Sequence, residues 1–217
     1  MNIAMISYHT CPLAVLGGKN TGGMNVYVRE LTRFLGRVGV HVDVFTRSQD
    51  EHIPQVSQDL GYFNRVVHIP AGPERFLLKS DLPGYTREFA QGILEFSEKK
   101  GIQYDLIHSH YWLSGLAGEI LKKSWDVPLL QMFHTLGMMK QRIGRTEEER
   151  EGEVRVNGET HVIQAADRII AATEAERSQL EMLYGLNHKK VSIVPPGVNT
   201  HHFYPIPPDE AKEAIGI

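Results

Sequence analysis

The chain has 217 residues, and its 23 basic and 26 acidic side chains give a formal net charge of −3. Its 41% hydrophobic and 23% charged residues are typical of a globular protein and exclude a mainly disordered or collagen-like chain. The near balance of charge gives no general attraction to nucleic acid or to an anionic membrane. A single cysteine, Cys11, excludes an internal disulfide and a cysteine-built zinc site.

The first residues, MNIAMISY, have no basic segment ahead of their apolar stretch, so we expect a first β-strand and not a signal peptide. No apolar run approaches the roughly 20 residues that a membrane helix needs. The simplest expected location is therefore the cytoplasm.

Short apolar segments alternate with longer amphipathic ones along the rest of the chain. The expected strands are residues 3–7, 40–46, 65–69, 104–108, 127–133, 168–172 and 191–194. Five helices are expected. Three have an apolar face, formed by Val28, Leu31, Leu35 and Val38 in the first, by Phe89, Ile93 and Phe96 before Gly101 in the second, and by Leu113, Leu116 and Ile120 in the third. The fourth is a charged helix over 145–166, and the fifth covers 174–184 after an N-cap at Thr173. Such alternation predicts an α/β fold, a doubly wound, Rossmann-like, mostly parallel sheet of six or seven strands.

The last 23 residues have a different composition, because they hold five of the 11 prolines. That is typical of a linker, and Asp209 is the expected N-cap of a short helix after it. We therefore expect one domain over residues 1–194. Residues 195–217 would be an interdomain linker and the start of a second domain that this chain lacks.

The glycine-rich segment LGGKNTGGMN, residues 16–25, lies between the first expected strand and the first helix. Gly22 and Gly23 would leave backbone N–H groups accessible at a helix N-terminus, which is an anion-binding arrangement. The segment is neither G-x-G-x-x-G nor a P-loop, so neither a dinucleotide dehydrogenase nor a P-loop NTPase is supported. The alternative is a flexible loop without a ligand.

Histidines lie near the ends of two expected strands. His108 and His110 could join a metal site, but the further ligands would have to come from distant histidines (His9, His134 and His161). We expect no metal and interpret His108 as a hydrogen-bonded histidine at a strand end. His134 and Thr135 could hydrogen-bond sugar hydroxyls, unless Thr135 only caps the next helix.

Four charged residues are most simply interpreted as solvated surface. Lys79 and Arg155 are lone basic residues, which are usually exposed. Glu151 and Glu159 match the E-x7-E spacing associated with nucleotide-sugar enzymes, but charged helices produce such spacings by chance. We interpret this pair as solvated helix surface.

Several segments together are similar to a known family. They are NIAMISYH at 2–9, TGGMNVYV at 21–28, DLIHSHYWLSG at 105–115, HTL at 134–136 and VPPGVNTHHF at 194–203. In that order they resemble the family 4 retaining glycosyltransferases, most of all the members that glycosylate inositol phosphate. The resemblance implies a GT-B architecture, two Rossmann-like domains across a cleft, of which this chain resembles the N-terminal, acceptor-binding one. Without the nucleotide-sugar domain, the chain alone would be inactive.

The resemblance also implies roles for individual residues. Those roles are a catalytic contact of His134 with the donor sugar, binding of the donor diphosphate by Gly22 and Gly23, binding of acceptor hydroxyls by His9 and Asn25, and binding of the acceptor phosphate by Lys79, Tyr111, Thr135 and Arg155. Two cations and two hydroxyls suit a phosphate dianion.

The implied reaction transfers a hexosyl group, N-acetylglucosamine or glucose, from a UDP-sugar to a phosphorylated polyol or sugar such as inositol phosphate, with retention at the anomeric carbon. The implied partners are this nucleotide-sugar donor and phosphorylated acceptor, with no required cofactor or metal, no nucleic acid and no membrane span; a homodimer stays open. The alternatives are a sucrose-phosphate-synthase-like transferase, a metal-dependent hydrolase using His108, His110 and His134, and a non-catalytic sugar-phosphate-binding module.

Overall fold

A computed structural model describes residues 1–17, 21–146 and 152–217, which form one sheet with helices packed on both faces. The strands are β1 Asn2–Ile6, β2 His41–Arg47, β3 Val56–Ser57, β4 Arg65–Ile69, β5 Leu106–His110, β6 Leu129–Met132, β7 Arg168–Ala171 and β8 Val191–Ile193. The helices are α1 Gly23–Arg37, α2 Thr86–Lys100, α3 Trp112–Trp125, α4 Gly137–Ile143, α5 Glu153–Ala165, α6 Glu174–Tyr184 and α7 Pro208–Ala214, with 3-10 turns at Leu82–Tyr85 and His188–Lys190.

Within the described residues the sheet has eight strands in the order β3-β4-β2-β1-β5-β6-β7-β8. Every neighbouring pair is parallel except β3 with β4. The order runs outward from β1 in both directions, so β1 and β5 meet where the winding reverses. The predicted doubly wound, mostly parallel sheet is confirmed.

Two hydrophobic cores lie on the two faces of this sheet. Alternate residues of β1 supply them, because side chains of a strand point to opposite faces. Ala4 and Ile6 belong to the larger core, with residues of α2, α3 and α5, whereas Ile3 and Met5 belong to the smaller core under α1.

Most of the expected elements are confirmed with small shifts. The strand at 65–69 and the helix at 174–184 have the expected bounds, and the Thr173 hydroxyl accepts from the Glu176 N–H as its N-cap. The strand expected at 104–108 lies two residues later, because Tyr104 precedes the ladder and its hydroxyl donates to Asp43. Gly101 ends α2 in a left-handed conformation with φ 62°.

Four expectations were wrong. Val38 is 75% exposed because it is the C-cap of α1 and lies beyond its buried face. The charged helix begins at Glu153, not at 145, after an extended N-cap at Gly152; residues 147–151 lie outside the described part. The last helix has Pro207 as its N-cap, and Asp209 lies in its first turn. The sheet also gains an eighth strand, β3, which is too short for a periodic pattern.

Within the described residues, no helix is both long and apolar enough to cross a bilayer.

Helices α3 and α5 pack closely because glycines remove side chains from their contact. A Cβ on Gly158 of α5 would lie 2.5 Å from the Trp112 ring, and a Cβ on Gly115 of α3 would lie 2.4 Å from Val162. This close approach fixes the position of α5, and with it every side chain that α5 directs toward the sheet edge.

We predict that Gly158→Ala destabilises the chain by about 1–3 kcal/mol. The added methyl overlaps the Trp112 ring, and overpacking should exceed the gain of about 1 kcal/mol in helix propensity. Urea unfolding measures the effect. Gly84→Ala is the control, because none of the described atoms lies within 4 Å of its Cβ position. Equal stability of the two variants would contradict close packing of α3 on α5.

Candidate functional site

The candidate site lies at the carboxyl edge of the central strands. β1, β5 and β6 run parallel as neighbours, so the segments that follow them meet at one edge. His9 follows β1, Tyr111 follows β5 and His134 follows β6. This is the part of an open α/β sheet where ligands bind.

Tyr111 is the centre of the first group of predicted residues. The ring of His9 lies 4.6 Å from the Tyr111 ring, centroid to centroid. The Lys79 Nζ lies 5.4 Å from the Tyr111 ring centroid, and the Arg155 guanidinium carbon lies 4.8 Å from it. Two cations separated by 76 positions in the sequence therefore meet over one aromatic ring.

Arg155 is 3% exposed and so is not the solvated surface charge that its isolation suggested. Its Nη2 donates to the Thr135 carbonyl at 2.8 Å and to the Thr135 hydroxyl at 2.9 Å. Thr135 does not cap α4, whose N-cap is Leu136. The hydroxyl of Thr135 is instead part of the group around Arg155.

Glu159 is 0% exposed, so its interpretation as solvated helix surface was wrong. Its Oε1 accepts from the Arg155 Nε at 2.8 Å, one helical turn away. Both carboxylate oxygens also accept from the Gly137 N–H, at 3.0 and 2.9 Å, and the Tyr184 hydroxyl donates to Oε2. Three donor groups thus surround this buried carboxylate; its E-x7-E partner, Glu151, lies outside the described residues.

Three histidines stack beside this group. The His108 and His110 ring centroids are 4.2 Å apart, and a 2.9 Å hydrogen bond joins His110 Nδ1 to His134 Nε2. The Tyr27 ring, from α1, contacts His110 and His134 edge-on at 5.7 and 5.2 Å. The Nδ1 of His134 has no partner among the described residues and is available to a ligand.

Burial keeps these imidazoles neutral. It lowers the pKa of His108 and of His134 to about 4, and it lowers the pKa of His110 well below its ordinary value. Burial also lowers the pKa of His9 to about 3, and the nearby charge of Lys79 acts in the same direction. At neutral pH the cations of the Tyr111 group therefore face uncharged rings.

The backbone is strained at two of these residues. Tyr111 has φ 73° and His134 has φ 63°, in the left-handed region that residues with a Cβ rarely occupy. Tyr111 directly follows β5, and His134 lies two residues after the end of β6. Such strain persists where the surrounding structure enforces it, and it clusters at functional sites.

The histidines were also considered from sequence as a metal site. Among the described residues no group of three or more histidine, cysteine or acidic side chains is placed to hold a metal ion. His110 and His134 bond to each other, while His161 lies elsewhere and pairs with Glu119 at 2.5 Å. The hydrogen bond expected for His108 is absent at Nε2, which is buried without a partner in the described structure.

The glycine loop leads into α1 as expected. Gly22 is the N-cap and Gly23 the first helical residue, whereas residues 18–20 lie outside the described part. Among the described residues the N–H groups of Gly23 and Met24 have no hydrogen-bond partner. Among the residues that the structure describes, no atom lies within 4 Å of a Cβ position on either glycine.

Asn25 ties this loop to the segment after β1. It is 1% exposed; its Oδ1 accepts from the Gly22 N–H at 3.0 Å, and its Nδ2 donates to the Thr10 hydroxyl and the Cys11 carbonyl, both at 2.7 Å. The side chain that was expected to bind an acceptor hydroxyl thus holds two loops together.

A cavity of about 490 Å³ has His9 in its wall. The Cys11 Sγ lies 3.5 Å from the His68 Nε2 in its wall, and burial raises the pKa of that thiol. The lining residues are His9, Thr10, Cys11, Leu13, Ala14, Thr21, Arg47, Gln49, Ile53, Ser57, His68 and Phe76. The mixture of hydroxyl, amide, imidazole and apolar groups suits a polyhydroxylated molecule.

Sequence reasoning missed four residues of this site. Tyr27 was inside a quoted motif but had no assigned role, and His110 was considered only as a metal ligand. Glu159 was interpreted as helix surface, and Tyr184 was not considered as a site residue. The one available signal was the spacing of Arg155 and Glu159, since charges four apart on a helix are neighbours. Nothing in the sequence near Tyr184 indicates that its hydroxyl reaches Glu159.

Comparisons with known proteins show which family the sequence matches. The sequence profile of Glycosyltransferase Family 4 matches residues 21–202. D-inositol 3-phosphate glycosyltransferase 2 of Catenulispora acidiphila is 43% identical over 217 residues, and D-inositol 3-phosphate glycosyltransferase of Kineococcus radiotolerans is 44% identical over the same length. Each alignment covers 99% of this chain and 50% of the relative, so the chain spans about half the length of these curated relatives.

Solved structures show the same fold. A sucrose-phosphate synthase from Thermosynechococcus elongatus matches with a TM-score of 0.87 and 30% identity, over 100% of this chain and 52% of its own. Anabaena HepE, solved in complex with UDP and glucose, matches with a TM-score of 0.59 and 14% identity, over 100% of this chain and 50% of its own. At that identity HepE is evidence for the fold alone.

We predict that the free energy of unfolding falls as the pH falls below about 6.5. The unfolded chain protonates its histidines near that pH, whereas the buried ones stay neutral until about pH 4, so the unfolded state binds more protons. Each such histidine can remove up to about 1.4 kcal/mol per pH unit. Urea unfolding from about pH 7 to about pH 5 measures the slope.

Two variants test the origin of that slope. His108→Leu removes one buried imidazole and should make the slope shallower, whereas replacement of the exposed His52 by Gln should leave it unchanged. Equal stability at both ends of the pH range would show that the histidines charge without cost.

Proposed function

The chain belongs to glycosyltransferase family 4, and on that premise we propose that it forms the acceptor side of a retaining hexosyltransferase. The proposed donor is UDP-N-acetylglucosamine or UDP-glucose, and the proposed acceptor is a phosphorylated polyol or sugar such as inositol phosphate. The observation that carries the proposal is the convergence of Lys79 and Arg155 on Tyr111, with the Thr135 hydroxyl bonded to Arg155.

This convergence suits a phosphate monoester. A dianion is recognised most strongly by charge-assisted hydrogen bonds, and a guanidinium presents a fixed fork of donors. Arg155 is almost fully buried and Lys79 half-buried, so solvent screens their charges less than it would on an open surface. Phosphate held by Lys79, Tyr111, Thr135 and Arg155 would place the acceptor ring toward His9.

His9, which lies in the wall of the cavity, would contact the acceptor. Its Nδ1 is buried without a partner among the described residues, and a neutral imidazole can exchange hydrogen bonds with a hydroxyl. Asn25 would support acceptor binding by holding the two loops beside the site in place. One lone pair of its Oδ1 is left for a direct contact with the acceptor.

The donor would approach from α1. The new glycosidic bond would form to an acceptor hydroxyl oxygen as the bond between the anomeric carbon and the diphosphate breaks. Negative charge would grow on the departing diphosphate, which would take up the proton of that hydroxyl. The N–H groups near Gly22 and Gly23, at the positive end of the α1 dipole, would stabilise that charge. Tyr27, one turn further along α1, links this region to the histidines.

His134 would contact the donor sugar beside the reacting carbon. Since burial lowers the pKa of His134 to about 4, its ring acts at neutral pH as a hydrogen-bonding group and not as a charged acid. His110 occupies its Nε2, which leaves Nδ1 for a sugar hydroxyl. The strained backbone would hold that nitrogen in place before the substrate arrives.

Residues 1–194 would form the acceptor domain of a GT-B enzyme, and 195–217 would lead toward the nucleotide-sugar domain. The relatives named as inositol-phosphate transferases and the match to sucrose-phosphate synthase both support a phosphorylated acceptor. The second candidate is a sucrose-phosphate-synthase-like activity, favoured by the TM-score of 0.87. The cytoplasmic location and the homodimer stay predictions.

We predict that Lys79→Ala weakens binding of inositol phosphate by about 10- to 100-fold and leaves binding of inositol unchanged. The loss corresponds to one charge-assisted hydrogen bond of about 1.5–3 kcal/mol. Calorimetry on the full-length enzyme with inositol phosphate, a hexose phosphate and inositol also separates the two candidate acceptors. Lys123→Ala is the control, since Lys123 is exposed on α3 and pairs with Glu119.

Equal losses for the phosphorylated and unphosphorylated ligands would remove Lys79 from the site. Lys79 is preferable to Arg155 for this test, because removing Arg155 strands the buried Glu159 charge. That alone costs about 3–5 kcal/mol of stability.

We predict that Gly23→Val abolishes UDP-sugar turnover in the full-length enzyme and leaves the melting temperature nearly unchanged. The two methyl groups would fill the space above the α1 N–H groups, where the diphosphate is proposed to lie, and the added Cβ meets no atom of the described residues within 4 Å. UDP release and thermal melting are the measurements. Gly84→Val, at a second open glycine, is the control. Near-normal turnover of Gly23→Val would place the diphosphate elsewhere.

A further inference from the structure

Two side chains behind the proposed phosphate site have no role so far. Glu159 of α5 accepts from Arg155, and Tyr184 at the end of α6 donates to Glu159. We propose that Glu159 and Tyr184 are positioning residues: they fix Arg155 for the acceptor phosphate and, through Thr135, the turn that carries His134. The proposal rests on the proposed function.

The hydrogen bonds of Glu159 leave Arg155 little freedom. The carboxylate accepts from the Arg155 Nε at 2.8 Å, while the Gly137 N–H and the Tyr184 hydroxyl hold it from other sides. A guanidinium bonded through Nε has its plane fixed, so the direction of its terminal nitrogens is fixed as well. The carboxylate therefore sets which way Arg155 points.

Tyr184 anchors this arrangement to a second helix. Its hydroxyl donates to Glu159 Oε2 and accepts from the Met138 N–H at 3.1 Å. Burial raises the pKa of Tyr184, so the hydroxyl keeps its proton and remains a donor. One phenol thus joins α6, the first turn of α4 and the carboxylate on α5.

The absence of a side chain at Gly137 makes the arrangement possible. A Cβ there would lie 3.0 Å from Glu159 Oε2 and 3.3 Å from the Arg155 Cδ. The backbone of α4 can approach the ion pair only without that atom, so the ion pair and the start of α4 occupy one fixed position.

Arg155 also connects this arrangement to His134, the residue proposed to contact the donor sugar. Its Nη2 donates to both the carbonyl and the hydroxyl of Thr135, the residue next to His134. His134 holds its strained conformation, φ 63°, beside that anchored residue. A shift of Arg155 would therefore disturb both the phosphate contact and the His134 contact, although Glu159 and Tyr184 touch neither substrate.

A second arrangement of the same residue types lies toward the amino ends of the strands. There Arg65 donates to Asp43 at 2.7 and 2.6 Å, and the Tyr104 hydroxyl donates to the same carboxylate at 2.6 Å. This trio is also an arginine, a carboxylate and a buried tyrosine, but it lies far from the carboxyl edge. Removing the Tyr104 hydroxyl should therefore reduce stability without affecting the position of Arg155.

The experiment compares Tyr184→Phe with Tyr104→Phe in the full-length enzyme. Each variant removes one hydroxyl from a buried carboxylate and keeps the ring, whereas Glu159→Gln would set an amide against converging donors and risks misfolding. The measurements are kcat and KM with inositol phosphate and with inositol, and the melting temperature.

We expect Tyr184→Phe to reduce the preference for the phosphorylated acceptor, as the ratio of the two kcat/KM values, by about fivefold or more. Its KM for inositol phosphate should rise and its kcat should fall. Tyr104→Phe should lower the melting temperature by a similar amount and leave the ratio unchanged. A wild-type ratio in Tyr184→Phe, or equal changes in both variants, would overturn the proposal.

Lys79→Ala, measured in the same way, distinguishes failure of the positioning role from failure of the proposed function. If it loses the preference for phosphate and Tyr184→Phe keeps it, the positioning role is wrong and the proposed function stands. If Lys79→Ala itself keeps the preference, the phosphate site is wrong and the positioning role falls with it.

Discussion

A guanidinium and a carboxylate, buried together on one turn of α5, constrain the acceptor side of this domain. Burying either charge alone would cost several kcal/mol, so each must have complete hydrogen bonding. Arg155 and Glu159 obtain it from Thr135, Gly137 and Tyr184, on three other segments. Because these partners are needed to stabilise the charges, the charges in turn fix the relative positions of α4, α5 and α6.

The strand and helix pattern was largely predictable because it depends on local chemistry. Buried parallel strands are short apolar runs and the helices between them have apolar faces, so the doubly wound sheet follows from spacing. The errors arose where tertiary contacts decide the boundary. Tyr104 leaves the β5 ladder to reach Asp43, and β3 is a two-residue strand that pairs only because β4 is beside it.

The candidate site was predictable to a different extent. Motif resemblance selected Lys79, Tyr111, Thr135 and Arg155, and the structure brings these four together. Reasoning from isolated residues placed Arg155 and Glu159 on the surface, because a charged residue considered alone is usually exposed. Each is buried only because the other is, and that mutual dependence is not visible one residue at a time.

The neutral histidines give the site a fixed electrostatic character. Around the two cations near Tyr111, His9, His108, His110 and His134 all stay uncharged until the pH is far below neutral. These four histidines therefore do not change their charge across the physiological range. A phosphate monoester does, since its second ionisation lies near about pH 6. The protonation of the ligand, and not that of these histidines, would then set how occupancy varies with acidity.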